Sequence, residues 1–102
     1  MQTANNETVT VLIEIHAKEG QEDLARETFA HTVATAHKPG MLSAMVYEDK
    51  LSPGTYYSVQ EWESIEDFKS HMRDAQAAST EYADKTSMLR DAPKTSILQR
   101  IG

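Results

Sequence analysis

The chain has 102 residues, with 10 Lys and Arg against 16 Asp and Glu, a formal charge of −6, and no cysteine. That length suits one domain, which buries roughly 60–70% of the surface its unfolded form exposes. The composition excludes a disulfide framework, thiolate ligands and a cysteine nucleophile, and the acidic balance argues against nucleic acid as a partner.

No apolar run approaches the ~20 residues of a membrane span, and nothing resembles an export signal, so no membrane partner is expected and the cytoplasm is the default location. Residues Met1 to Glu7 are polar and read as a flexible tail, leaving 8–102 as a single domain. Thr8 to His16 alternates: Val9, Val11, Ile13 and Ile15 share one side, Leu12, Glu14 and His16 the other. β-branched residues on a period of two predict a strand. Glu22 to His37 reads as a helix, with Ala25, Phe29, Thr32, Val33 and Ala36 on one stripe and Pro39-Gly40 as its stop.

Met41 to Glu48 and Thr55 to Trp62 read as strands, and Leu51-Ser52-Pro53-Gly54 between them predicts an antiparallel hairpin. Period two puts Leu42, Ala44 and Val46 on one face of the first, and Met41, Met45 and Tyr47 on the other. Ser64 to Asp67 opens a further helix, with Ser64 as cap and Ile65, Phe68 and Met72 on its apolar face. A helical stretch from about Ala75 to Leu89 either continues it or follows a break near Arg73-Asp74. Lys94 to Ile101 alternates again and reads as a last strand. The order β-α-β-β-α-β is the ferredoxin-like α+β pattern, a four-stranded antiparallel sheet with helices on one face. Both sheet faces carry apolar residues, so a second layer is expected, most simply the same face of another copy in a homodimer.

The single tryptophan, Trp62, ends the third strand, and His71 follows nine residues later on the next helix. Trp62 is a core or interface aromatic, or a pocket wall that stacks on a flat ligand. His71 lies about 80° from the centre of the Ile65/Phe68/Met72 stripe, at the border of the buried face. It is a half-buried histidine, or a base on a pocket rim, since an unperturbed imidazole titrates near pH ~6.5. Tyr56 and Tyr57 point to opposite faces, so one joins the core and the other a cavity or interface. Tyr47 and Tyr82 are further candidates for ligand contact. Glu14 and His16 are a solvated strand end, or a base with its orienting carboxylate. His31 and His37 do not share a helix face, and no HExxH, P-loop or G-x-G-x-x-G occurs.

Several segments resemble one family. Ala17-Lys18-Glu19-Gly20-Gln21-Glu22 after the first strand, Lys38-Pro39-Gly40-Met41-Leu42 before the second, and Glu61-Trp62-Glu63-Ser64 with His71 are similar to the antibiotic biosynthesis monooxygenase (ABM) domain family. The resemblance runs over nearly the whole chain and implies membership of the dimeric α+β barrel superfamily. It implies a cofactor-independent monooxygenase, oxidising a phenolic, anthrone-like or quinol small molecule with O2, with no cofactor and no metal. Haem-degrading relatives place a Trp where this chain has His71 and a ligand His where it has Glu81, which disfavours haem chemistry. Many members carry Glu two residues before the tryptophan, where this chain has Gln60. The site this implies has His71, Trp62 and Tyr57 as catalytic residues, lined by Tyr56, Tyr47, Phe68, Met72, Tyr82 and Leu12. Alternative readings are an isomerase or degrading enzyme for a small signalling or sugar-derived molecule, and a non-catalytic small-molecule-binding dimer.

Overall fold

The computed structural model describes residues 8–77 and 86–102. Among the described residues six elements follow in order: β1 (Val9–His16), α1 (Glu22–Ala34), β2 (Met41–Glu48), β3 (Thr55–Trp62), α2 (Ile65–Ala77) and β4 (Lys94–Leu98). The strands form one antiparallel sheet in the order β2-β3-β1-β4, with both helices on one face. This is the ferredoxin-like α+β topology, and within one chain the sheet is open rather than closed into a barrel. The expected tail, Met1 to Glu7, lies outside the described residues.

The register sorts side chains into two faces. Rows Val46–Ser58–Ile13–Thr95 and Ala44–Gln60–Val11–Ile97 face the helices. Rows Met45–Val59–Leu12–Ser96 and Tyr47–Tyr57–Glu14–Lys94 face away. Two small cores form beneath the helices. One joins Ile15, Ala17, Ala25, Tyr56, Met88 and Leu89; the other joins Val11, Trp62 and Phe68.

Four sequence expectations change, the first being that β4 ends at Leu98 rather than Ile101. Met41 was expected on the side of Met45 and Tyr47, but a register shift between Met41 and Ser43 makes Leu42 an extra residue. An inserted residue inverts the alternation before it, so Met41 packs under the helices against the Trp62 cluster. Helix α1 ends at Ala34 rather than His37. Thr35 Oγ1 donates to the His31 carbonyl at 2.9 Å, occupying an acceptor of the last turn, and Pro39 forbids helical continuation. Leu89, expected in a helix, instead bridges to Ala17, while Lys18 N–H donates to the Met88 carbonyl and Arg90 N–H to that of His16, each at 2.8 Å. Helix α2 runs unbroken through Arg73-Asp74 to Ala77.

The turn before β2 fixes the start of α2. Gly40 has φ +82°, and a Cβ there would lie 2.5 Å from Asp67 Cγ. Only glycine meets both demands. Its carbonyl accepts from Glu63 N–H at 2.8 Å. Ser64 Oγ accepts from Asp67 N–H at 3.2 Å and donates to Asp67 Oδ2 at 3.1 Å, which caps α2.

Candidate active site

A cavity of about 840 Å³ lies between α1, α2 and the sheet. Small-molecule pockets span roughly 300–1,000 Å³, so this one is of a size for a small molecule. Its floor is Ile13, Ile15, Ala44, Val46, Ser58 and Gln60. Thr28, Phe29, Thr32 and Val33 of α1 form one wall; Asp67, Ser70, His71 and Asp74 of α2 form the other. These α2 positions recur at i, i+3, i+4 and i+7, one helix face.

His71 and Gln60 are both held by Trp62. The indole has no exposed surface. One face lies 5.3 Å from the His71 ring, centroid to centroid, at an interplanar angle of 30°. The Phe68 ring meets it at 5.7 Å and 65°, an edge-on contact. Its Nε1–H donates to Gln60 Oε1 at 2.9 Å, and Gln60 Nε2 donates to Ser58 Oγ at 3.2 Å. Trp62 thus sits behind the cavity, as the support of two polar groups that line it.

The other sequence candidates are spread over both faces of the sheet. Phe68 and Met72 pack with Trp62 and Val11 in the core behind the cavity. Tyr56 is buried, and its hydroxyl donates to the Glu22 carbonyl at 2.8 Å. Burial pushes that hydroxyl above the ordinary tyrosine range. Tyr57, Tyr47 and Leu12 lie on the opposite face of the sheet from the cavity. The Tyr57 hydroxyl donates to Asp49 Oδ2 at 3.3 Å; desolvation, then the Asp49 charge, raises it as well. Tyr82 lies outside the described residues, as does Glu81.

Sequence reasoning passed over Ser58, Asp67, Ser70 and Asp74, and treated Gln60 only as a missing carboxylate. The signal was present: 58, 60 and 62 alternate onto one face of β3, and 67, 70, 71 and 74 share one face of α2. His16, also on the far face, has Nε2 at 2.7 Å from Glu14 Oε2 and Nδ1 at 2.9 Å from Asp91 Oδ1. Carboxylates only accept, so the protonated ring, with a hydrogen on each nitrogen, is the form that donates to both. The hydrogen bond to Asp91, then that to Glu14, raises its pKa above the usual histidine value; the His16 bond lowers that of Asp91. Among the described residues no three His, Asp or Glu side chains converge as a metal site. No helix among them is long and apolar enough to cross a membrane.

The sequence model for antibiotic biosynthesis monooxygenases matches residues 8–82. The chain belongs to the ABM family. Solved structures agree on the fold. The Pseudomonas aeruginosa protein PA3566 superimposes with a TM-score of 0.75 at 15% identity, over 98% of this chain and 100% of that one. A Deinococcus radiodurans protein assigned to the same family gives 0.74 at 21% identity, over 92% and 93%. Rv0793 from Mycobacterium tuberculosis gives 0.71 at 15%, over 94% and 97%. At these identities the likeness concerns the ABM fold alone. No curated protein gives a significant match.

Proposed function

We propose that this ABM-family protein is a cofactor-independent monooxygenase acting on a phenolic, anthrone-like or quinol small molecule. The observation that carries the reading is the imidazole of His71 on the wall of an 840 Å³ cavity, stacked on the buried Trp62. The imidazole takes the acidic proton of the bound substrate, leaving an electron-rich anion. The anion passes one electron to O2, the resulting radicals combine into a hydroperoxide, and loss of water leaves a carbonyl. For an anthrone the balance is anthrone plus O2 to anthraquinone plus water. The apolar floor keeps bulk water from the anion, and the floor donors stabilise its oxygen.

Oxygen consumption with anthrone and hydroquinone panels, wild type against His71→Ala, tests this. We expect turnover to fall about 100-fold, the lower end of what general-base removal costs. Equal turnover by the two proteins removes His71 from the mechanism, and no oxygen uptake with any substrate removes the oxygenase reading.

The polar helix walls, with Thr28, Thr32, Asp67, Ser70 and Asp74, support a second reading. In it the protein is an isomerase or degrading enzyme for a small signalling or sugar-derived molecule. Turnover of such a molecule without oxygen would favour it, and tight binding without turnover would favour a non-catalytic role.

The working unit of this proposal is a homodimer formed through the open sheet face. Met45, Tyr47 and Leu98 on that face are 51%, 53% and 44% exposed, more apolar surface than a solvated sheet face carries.

A further inference from the structure

We infer that Gln60 and Ser58 form an oxygen-binding floor in the cavity, a pair of directed donors that selects ligands carrying a carbonyl or phenolic oxygen. The inference deepens the oxygenase reading and rests on it for the identity of the ligand's ring system.

The argument starts from the indole. Trp62 Nε1 can only donate, so the group 2.9 Å away must be the amide oxygen of Gln60. That fixes the orientation of the whole amide, and its NH2 group faces Ser58 Oγ at 3.2 Å. An NH2 carries two hydrogens, and Ser58 receives one of them. The second belongs to a side chain that lines the cavity. Ser58 accepts through its oxygen, so its own hydroxyl hydrogen is directed elsewhere, and Ser58 lines the same cavity.

The frame around these two groups is apolar. Gln60 is flanked across the sheet by Ala44 and Val11, and Ser58 by Val46 and Ile13. None of those side chains accepts a hydrogen bond. A ligand oxygen set on this spot receives two donors that are already oriented. A hydrocarbon edge set there strands both, which costs more than the bonds themselves return. His71 and Gln60 touch the same indole, so an oxygen held by the floor places the adjoining part of a flat ligand beside the imidazole. The three phenol rings of the hairpin do not compete for this role: Tyr47 and Tyr57 face the other side, and the Tyr56 hydroxyl donates to Glu22.

Fluorenone and fluorene make the test. They share a flat tricyclic frame, and the ketone has no proton to give and nothing for O2 to oxidise. Equilibrium dialysis against wild type is expected to favour fluorenone by about tenfold, one well-made hydrogen bond's worth. Gln60→Glu keeps an acceptor for Trp62 Nε1–H but removes the NH2 donors. It is expected to erase the preference, chiefly by weakening fluorenone, while fluorene still binds, which reports an intact cavity. Ser58→Ala is expected to reduce the preference, and it decides the matter if the glutamate variant does not fold. Equal binding of the two probes by wild type, or an undiminished preference in both variants, overturns the inference. The oxygenase reading fails differently, by absence of oxygen uptake with the ketone preference intact.

Discussion

Phe68 shows what a single side chain does for this site. It is 4% exposed and meets the Trp62 ring edge-on, so its loss leaves a void beside the indole. Phe68→Ala is expected to cost about 3–5 kcal/mol, read as a lower urea midpoint with the slope unchanged. A loss below about 1 kcal/mol would mean the cluster relaxes around the void. Trp62 and His71 were legible from nine residues of spacing across one strand-to-helix junction. The direction each faces was less so. Trp62 ends a strand, where core and cavity wall have the same parity; only the packing of α2 over it decides between them. Gln60 and Ser58 share that parity and were equally legible, but a polar residue on a buried face gives no hint of its partner.

At the scale of elements, alternation and turn chemistry revealed all four strands and the start of both helices. Ends were harder. The bulge at Leu42 has no proline or glycine within it, so period two carried straight through it. Leu89 continued a helical pattern, yet its stretch is drawn to β1 by backbone bonds that no local propensity encodes. The same junction carries a titratable tie. His16 on β1 bridges Glu14 and Asp91, beside Arg90, whose amide donates to the His16 carbonyl.

The signs of its two pKa shifts set a window. His16 is raised, so its contribution is complete below an unfolded value of about 6.5 and is lost as pH rises through the folded value. Asp91 is lowered, so its contribution is complete above an unfolded value of about 3.9 and is lost as pH falls through the folded value. The tie is therefore complete in mildly acidic solution and opens as pH rises through the folded value of His16. Hydrogen exchange at the Arg90 amide, corrected for intrinsic rate, is expected to lose protection as pH rises above about 6.5 and through the raised folded value of His16. His16→Gln is expected to flatten that change. A flat profile in wild type would show that the tie does not hold the strand.

At the scale of the molecule, the sheet separates two environments. Beneath the helices lies the cavity; on the other side lies a central row of Met45, Val59, Leu12 and Ser96, edged by Thr10, which donates to Glu61 at 2.8 Å. Apolar content on both faces was evident from alternation alone. The cavity was not, because its volume depends on how far apart two helices settle. If the open face joins two copies, Met45→Lys sets a charge in the middle of the joint and its twofold mate opposite. Light scattering is then expected to give twice the chain mass for wild type and the single mass for the variant. A single mass for both would dismiss the joint.

Trp62 also gives the protein an optical signal. It is the only indole among 102 residues, it is shielded from solvent, and it stacks on an imidazole at 5.3 Å. The protein therefore carries one indole fluorophore, placed where the proposed proton transfer happens. Its emission is expected to lie at the short wavelengths of an unhydrated indole. Imidazolium quenches indole emission more strongly than neutral imidazole, so the intensity of wild type is expected to follow the protonation of His71. That of His71→Ala is expected to stay constant. A single cuvette titration then reads the charge state of one side chain without label, substrate or turnover.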